Sequence, residues 1–223
     1  MEAIIDLDAE IAKAAEDAAF SLIGNDLLGK GYSVRVNSLP HSLADLLNER
    51  VVSISDSSFQ TAAIGPAQNT MQNNFVRSQK LKWITGDSDA SIQWLSWAER
   101  LQVHLNRSLF LGLFSFESHY AHYQPGDFYK RHYDAFRGKV GRTVSIVVYL
   151  NTNWLPTDGG ELVIYNGDDD KKGLKVMPSY ATVVVFLSSE YPHEVLRTNR
   201  DRYSIAGWFS TNTSIASRVD PPE

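Results

Sequence analysis

The chain has 223 residues, of which 43% are hydrophobic and 21% charged, so it is long enough to bury one sizeable core. The net charge of −5 argues against a surface that coats nucleic acid, and the absence of cysteine excludes disulfides and thiolate chemistry. No apolar run reaches the roughly 18 residues of a membrane span, and the first residues lack the pattern of a secretion signal, so we expect a cytoplasmic protein.

The first half of the chain predicts helices that support a later core. Apolar residues recur at helical spacing over 6–24, as Leu7, Ile11, Ala14, Ala15, Ala18 and Leu22, and over 91–107, as Ile92, Leu95, Ala98, Leu101 and Leu105. Between these helices the sequence predicts a helix stop at Gly24, a short helix over 25–30, a strand over 31–37 and a helix with Ser42 as its N-cap. We interpret Trp94, Trp97 and His104 as packing or surface residues.

From Leu109 onward the pattern changes to short strands separated by turns. The predicted strands cover 110–123, 127–134, 143–151, 160–166, 174–177, 181–187, 193–197 and 202–210. Strands at this spacing are typical of a sandwich or jelly roll. We therefore predict a mostly β fold with flanking helices in one catalytic domain, 1–223, in which 1–108 is mainly helical support with the first strands, 109–212 is the core and 213–223 is a tail.

The residues most typical of a metal site are His132 and Asp134. In an extended strand, residues two apart project from the same face, so this imidazole and this carboxylate lie side by side. A second histidine follows at His193. Two histidines and one carboxylate on one face of an octahedral ion leave other positions open, which is the ligand set of non-haem Fe(II) oxygenases.

A later strand adds an arginine to this pattern. Period-two alternation places Arg202, Ser204, Ala206 and Trp208 on one face of the strand 202–210. A guanidinium that points into an apolar layer needs an anionic partner, and a carboxylate matches its planar geometry. The metal pattern and Arg202 together predict a dicarboxylate co-substrate that chelates the metal at one end and pairs with the arginine at the other.

Taken together, these motifs resemble the 2-oxoglutarate and Fe(II)-dependent dioxygenases, and among them the bacterial form of the hypoxia-sensor-type prolyl 4-hydroxylases. The resemblance runs from about Gly31 to Phe209 and is strongest over 120–209. Its joint motif is His-x-Asp, a later His, and an Arg nine residues beyond it, with Tyr149-Leu-Asn in between. The family's fold implies a double-stranded β-helix, a jelly-roll or cupin-like core with the N-terminal helices as support.

The resemblance also implies the rest of a site. Tyr149 matches the tyrosine whose hydroxyl binds the far carboxylate of 2-oxoglutarate beside Arg202; the alternative is a sheet tyrosine with its hydroxyl in water. The other implied residues are Tyr123, Val147, Leu162 and Val195 around the co-substrate, and Tyr129, Arg77, Trp208 and Arg142 at the mouth of the site. We interpret His119 and His122 as non-ligands, and Glu194 as facing away.

The polar segment 60–80, which contains Gly65-Pro66, by itself predicts a solvated hairpin loop. Because Trp83-Ile-Thr-Gly86 resembles the end of the family's mobile substrate-gripping finger, the resemblance instead implies a substrate loop over 60–82, and this is the interpretation that we adopt.

Two positions depart from the family pattern. Gln79 stands where the finger carries an aspartate able to pair with the arginine that matches Arg142, and Ala206 stands where the family has a threonine near the metal. Both bear on substrate choice and on the reaction with oxygen, not on the cofactor chemistry.

The activity that the resemblance implies is that of a procollagen-proline-type prolyl 4-hydroxylase. It would use Fe(II), 2-oxoglutarate and O2, with ascorbate supporting activity, and release succinate and CO2. The implied partner is an intracellular protein or peptide that contains proline, by analogy elongation factor Tu, with no nucleic acid and no membrane. Two alternatives stay open: the same chemistry on a free small molecule, and a non-catalytic metal-binding jelly-roll module.

Overall fold

The computed structural model describes residues 7–61, 78–135 and 141–212. Its helices and strands, in chain order, are α1 (Leu7–Lys30), β1 (Tyr32–Arg35), α2 (His41–Ser53), β2 (Gln60–Thr61), β3 (Lys80–Trp83), α3 (Asp89–Leu109), β4 (Leu113–Tyr123), β5 (Tyr129–His132), β6 (Arg142–Tyr149), β7 (Leu162–Ile164), β8 (Leu174–Val176), β9 (Val183–Leu187), β10 (His193–Val195) and β11 (Arg202–Thr211). Arg77, most of the predicted substrate loop and the predicted tail 213–223 lie outside the described residues.

The strands form two antiparallel sheets. The larger has the order β1-β9-β6-β11-β4-β3-β2, and the smaller has the order β5-β10-β7-β8. Strands that are distant in the sequence lie side by side, as where β11 pairs with both β4 and β6. The eight strands predicted after Leu109 are all present, with ends that differ by a few residues, so the mostly β fold with flanking helices is confirmed.

Strand β6 shows how the larger sheet separates two cores. Its Val144, Ile146 and Val148 pack on the face that the helices cover, while Val147 and Tyr149 pack on the face toward the smaller sheet. This alternation is the one that period-two spacing predicts. The residues between the two sheets are therefore those available to a site.

The N-terminal helix differs from its prediction. Helix α1 continues through Gly24 to Lys30 as one element, and the left-handed residue Gly31, with φ of 74°, follows its end. Its buried side chains are Phe20, Ile23 and Leu27, whereas the predicted apolar residues Leu7, Ile11 and Leu22 are exposed. Gly24 lies close to α3, since a Cβ there would meet Ser108 Oγ at 3.4 Å, so it serves helix packing rather than helix termination.

Two smaller corrections concern helix starts and faces. Helix α2 begins directly after Pro40, so Ser42 lies inside the helix and the predicted N-cap is wrong. Ser88 caps α3 and accepts a hydrogen bond from the Ser91 amide at 3.3 Å. In α3 the indoles of Trp94 and Trp97 are buried, which confirms packing, while Ile92 is exposed.

Among the described residues, no helix has the length and apolar character that crossing a bilayer requires.

Candidate functional site

A cavity of about 380 Å³ lies between the two sheets. Both sheets contribute to its walls, so residues distant in the sequence converge there. Of the residues predicted for the site, those that line it are Tyr123, Tyr129, His132, Asp134, Arg142, Val147, Leu162, His193, Val195, Arg202 and Trp208. Tyr149 does not line the cavity but is fully buried beside Arg202, and Arg77 lies outside the described residues.

The His-x-Asp motif and the second histidine meet at one end of this cavity. His132 Nε2 lies 3.6 Å from Asp134 Oδ1, and His193 Nε2 lies 3.6 Å from Asp134 Oδ2. One ligand atom from each side chain lies within 4.8 Å of the others. Cross-strand pairing produces this contact, because His193 on β10 is the register partner of His132 on β5.

A β-bulge shapes the strand that carries the motif. Between His193 and Val195 strand β10 advances two residues, while β5 advances three, from His132 to Tyr129. The extra residue brings Tyr129 and His132 to the same face, where their rings stack at a centroid distance of 3.6 Å. Tyr129 therefore lies directly against a ring of the triad.

Backbone carbonyls hold both imidazole rings. His132 Nδ1 lies 2.7 Å from the Lys130 carbonyl oxygen, and His193 Nδ1 lies 3.2 Å from the Tyr191 carbonyl oxygen. Since a carbonyl oxygen only accepts, Nδ1 is the donor in each ring, and in the neutral ring this leaves Nε2 as an acceptor directed at Asp134. This is the tautomer in which a histidine binds a metal through Nε2.

Electrostatics keep the triad in a ligand-competent state. Burial would raise the pKa of the Asp134 carboxyl, but His193, His132 and the Ser145 hydroxyl outweigh it and hold that pKa well below its ordinary value. Burial lowers the pKa of His193 to about 4. The carboxylate is therefore ionised and His193 is neutral at neutral pH.

The donor set fits a divalent metal ion. One hydrogen-bond acceptor atom from each of the two imidazoles and from the carboxylate lies close to the other two. Acceptor atoms cannot hydrogen-bond to one another, so a cation between them would stabilise this arrangement. Two histidines and one carboxylate are the ligands of the facial triad that binds non-haem iron.

The other end of the cavity holds a buried cation. The Arg202 side chain is 1% exposed, and its Nε donates to the Gly160 carbonyl oxygen at 2.8 Å while one terminal nitrogen donates to Ser204 Oγ at 3.1 Å. Its guanidinium carbon lies 4.7 Å from the ring centre of Tyr123 and 5.0 Å from that of Tyr149. No carboxylate of residues 7–61, 78–135 or 141–212 forms an ion pair with it. Because an unpaired buried charge is costly, this end of the cavity fits an anion.

Tyr149 adds a donor beside this guanidinium. Its hydroxyl is buried without a hydrogen-bond partner among the residues that the structure describes. Burial raises the pKa of Tyr149 to about 12, although Arg202 opposes the rise, so the hydroxyl keeps its proton at neutral pH. The sheet tyrosine with its hydroxyl in water, which the sequence left as an alternative, does not match this burial.

The Gly159-Gly160 turn allows the backbone to approach Arg202. Gly160 has a φ of 68°, and a Cβ at this position would lie 3.0 Å from Arg202 Cδ. Any larger residue there would press on the arginine while straining the turn.

The mouth of the cavity carries a second arginine. The Arg142 guanidinium stacks over the Trp208 ring at 3.6 Å and donates to Glu117 Oε1 at 2.7 and 3.0 Å. Gln79, at the position where the related finger has an aspartate, is buried, and its Oε1 has no partner within the described part of the chain. The carboxylate that pairs with Arg142 is therefore that of Glu117, two strands away in the sheet from the strand that carries Arg142.

Sequence reasoning missed several residues of this site. Ser145 donates to Asp134 Oδ2 at 2.7 Å, and Gly160 and Ser204 hold Arg202. Ser145 and Ser204 share the inward faces of β6 and β11 with predicted site residues, so period two was a signal for them. His119 also lines the cavity, while the cluster of possible ligands among the described residues consists of His132, Asp134 and His193.

Known proteins resemble this chain in sequence and in fold. Residues 118–210 match the family model of the 2OG-Fe(II) oxygenase superfamily. A prolyl-4-hydroxylase from Pseudomonas putida is 36% identical, with a TM-score of 0.76, and the match covers 86% of this chain and 98% of that one. A prolyl hydroxylase from Trichoplax adhaerens, solved with a peptide fragment of the hypoxia inducible factor oxygen degradation domain, is 27% identical, with a TM-score of 0.79 and coverages of 92% and 94%.

A viral collagen prolyl hydroxylase from Paramecium bursaria chlorella virus-1, solved with 2OG, shares the fold at 17% identity, with a TM-score of 0.57 and coverages of 82% and 97%. With these neighbours, the two antiparallel sheets are the double-stranded β-helix core that the sequence predicted.

Proposed function

This chain belongs to the 2OG-Fe(II) oxygenase superfamily and is a 2-oxoglutarate-dependent dioxygenase of the prolyl hydroxylase type; we propose that it converts a peptidyl proline to 4-hydroxyproline. The reaction consumes O2 and 2-oxoglutarate and releases succinate and CO2. The observation that carries the proposal is one cavity with a His-Asp-His triad at one end and, at the other, a buried guanidinium that pairs with no carboxylate of the described residues.

His132, Asp134 and His193 would hold the Fe(II). When bound, the iron and 2-oxoglutarate supply the activation of O2 and the oxidising power for the C–H bond. The protein's part is to orient the reactants and to exclude water. Both imidazoles are already turned with Nε2 toward the carboxylate, so little reorganisation accompanies metal binding.

Arg202 and Tyr149 would bind the far carboxylate of 2-oxoglutarate. The guanidinium offers a charged donor, and the phenol, whose hydroxyl has no partner among the described residues, offers a neutral one. Val147, Leu162, Val195 and Tyr123 would contact the carbon chain and hold it away from water.

The mouth of the cavity would receive the prolyl segment. Trp208 and Tyr129 offer aromatic surfaces, and Arg142 offers a donor for a peptide carbonyl group. Support for a peptide comes from the relatives: the Trichoplax enzyme was solved with a peptide, and the Pseudomonas enzyme is a prolyl-4-hydroxylase. The finer assignments, which are Arg77 at the mouth, ascorbate as a supporting reductant, the cytoplasm as the location and elongation factor Tu as the partner, rest on the family resemblance alone.

The test is a search for the substrate. Cell extract is incubated with the enzyme, Fe(II) and 2-oxoglutarate, and its peptides are searched by mass spectrometry for the gain of one oxygen atom on proline. We expect hydroxyproline in the wild-type sample and none with His132→Ala. Turnover of a free small molecule, unaffected by shortening the segment 62–77, would instead favour the small-molecule alternative.

A further inference from the structure

The Asp134 carboxylate is held differently from the two imidazoles. Backbone carbonyls hold the rings, whereas the carboxylate accepts from the side chain of Ser145, with Oγ 2.7 Å from Oδ2. Ser145 Oγ in turn lies 2.8 Å from Ser188 Oγ. Both hydroxyls are buried, at 1% and 0% exposure, so water cannot replace either of them.

The hydrogen bonds of this hydroxyl pair run in one direction. An ionised carboxylate only accepts, so the proton of Ser145 points to Asp134. Ser145 then has no second proton, and Ser188 must donate to Ser145. Each bond polarises the next in a site shielded from water, which strengthens the donor that faces the carboxylate.

Strand pairing fixes the position of both hydroxyls. Ser145 lies in β6 opposite Phe186 of β9, and Ser188 directly follows β9 with its amide bonded to the Thr143 carbonyl oxygen at 3.0 Å. The donor to Asp134 therefore stands on the rigid larger sheet, whereas Asp134 itself lies beyond the end of β5.

Without this donor the triad does not determine which oxygen of Asp134 binds a metal. Oδ1 is 3.6 Å from one imidazole nitrogen and Oδ2 is 3.6 Å from the other, so the two oxygens are equivalent with respect to the rings. The last side-chain torsion of an aspartate is soft, which permits rotation or two-oxygen binding. The hydroxyl of Ser145 donates a hydrogen bond to Oδ2 but not to Oδ1, and this makes the two oxygens different.

We propose that Ser145 and Ser188 are positioning residues that keep Asp134 a single-oxygen metal ligand through Oδ1. The inference rests on the proposed metal role of the triad and adds to it. A carboxylate that bound through both oxygens would fill one of the positions that 2-oxoglutarate and O2 need. The hydroxyl pair therefore keeps the metal open to the co-substrate as well as strengthening its binding.

Metal binding in the absence of turnover tests this directly. Metal-free protein is titrated with Mn(II) by calorimetry, and the visible absorption of the Co(II)-loaded protein reports the coordination number. For Ser145→Ala we expect metal affinity to fall about 10- to 100-fold, as with other residues that orient a ligand. We also expect a shift of the Co(II) spectrum. Ser188→Ala should fall between the wild type and Ser145→Ala, and Ser145→Cys, which keeps a weak donor, should restore part of the affinity.

The matched control is Ser33→Ala. Ser33 is also fully buried and also donates to a carboxylate, Asp26 Oδ2 at 2.8 Å, but this carboxylate is not part of the triad. It should leave metal affinity and the Co(II) spectrum unchanged.

The outcomes separate the two claims. If the wild type binds metal and Ser145→Ala has the same affinity and the same Co(II) spectrum, Ser145 and Ser188 are not positioning residues. The proposed function is not affected by that result. If Ser145→Ala does not fold, Ser188→Ala decides in the same way. A wild-type protein that binds neither Mn(II) nor Co(II) overturns the proposed function and this inference together.

Discussion

At the scale of single residues, the decisive one is Arg202. Few positions in a protein bury a guanidinium to 1% exposure, and here the partners within the described residues are a carbonyl and a hydroxyl, both uncharged. Such a site stabilises an incoming carboxylate because the free-energy cost of removing the arginine from water is already incurred when the protein folds. Tyr149 lies beside it, and its buried hydroxyl has no hydrogen-bond partner in the described part of the chain.

Replacing Arg202 by Lys keeps the charge and removes the planar fork. We expect the Michaelis constant for 2-oxoglutarate to rise, because charge-assisted hydrogen bonds contribute about 1.5–3 kcal/mol, which is about tenfold to more than hundredfold. Steady-state kinetics measure it, with the surface variant Arg200→Lys as the control. An unchanged Michaelis constant with normal metal binding would show that Arg202 does not bind the co-substrate.

Tyr149→Phe should lower the affinity for 2-oxoglutarate without lowering the stability of the fold. The hydroxyl has no partner in the described protein, so its removal should leave the free energy of unfolding unchanged or slightly higher. Affinity for 2-oxoglutarate should fall by about 1 kcal/mol, or about fivefold, through the lost hydrogen bond. Urea unfolding and calorimetry measure the two quantities, and a loss of stability without a loss of affinity would contradict the role.

At the scale of elements, two sets of contacts hold the segment 129–134, which begins with strand β5. Strand β5 pairs with β10 through the bulge. Arg131 donates to the Gly167 and Asp170 carbonyl oxygens, and the Tyr133 hydroxyl donates to Asp168 at 2.9 Å. The β7–β8 turn therefore holds the segment that contains His132 and Asp134, and Asp168 of the acidic run Asp168–Asp170 has a structural use.

Asp170 organises this turn. It accepts hydrogen bonds from the backbone amides of Asn166, Gly173 and Lys172, which lower its pKa to about 2. A lowered folded-state pKa means that the stabilisation is fully present above the unfolded value of about 3.9 and is lost as pH falls through about 2. Wild type should therefore exceed Asp170→Asn in stability at pH 5, and the gap should close toward pH 2.

Urea unfolding midpoints across this pH range measure the gap, with the exposed neighbour Asp169→Asn as the control. A gap that stays constant down to pH 2 would show that the Asp170 carboxylate is not the group responsible.

The sequence predicts elements better than it predicts what surrounds them. Alternation alone anticipated that Arg202 and Ser204 share a face, and family likeness named the residues of the site. Neither could indicate the bulge that stacks Tyr129 on His132, since a bulge depends on how two distant strands pair. The predicted end of helix α1 at Gly24 was wrong for a related reason. Gly24 packs against α3, and this tertiary contact outweighed the local signal for a helix end.

At the scale of the whole molecule, the two sheets bring a cation-binding end and an anion-binding end to one cavity. The helices pack on the outer face of the larger sheet and take no direct part in the site. In our proposal one molecule of 2-oxoglutarate occupies both ends of the cavity. One part of this molecule chelates the metal, and its far carboxylate binds Arg202. Binding of the metal and binding of 2-oxoglutarate must therefore be coupled.

Whether one 2-oxoglutarate molecule contacts both the metal and Arg202 can be measured by titrating 2-oxoglutarate into the protein with and without Mn(II), in calorimetry without O2. With metal, we predict a single 2-oxoglutarate bound to each wild-type chain, and a large loss of affinity both on omitting the metal and in His132→Ala. Circular dichroism of His132→Ala should match the wild type, because the triad lines a cavity and not a core. Equal affinity in all three conditions would contradict the account, because the metal end and the Arg202 end would then not hold one ligand.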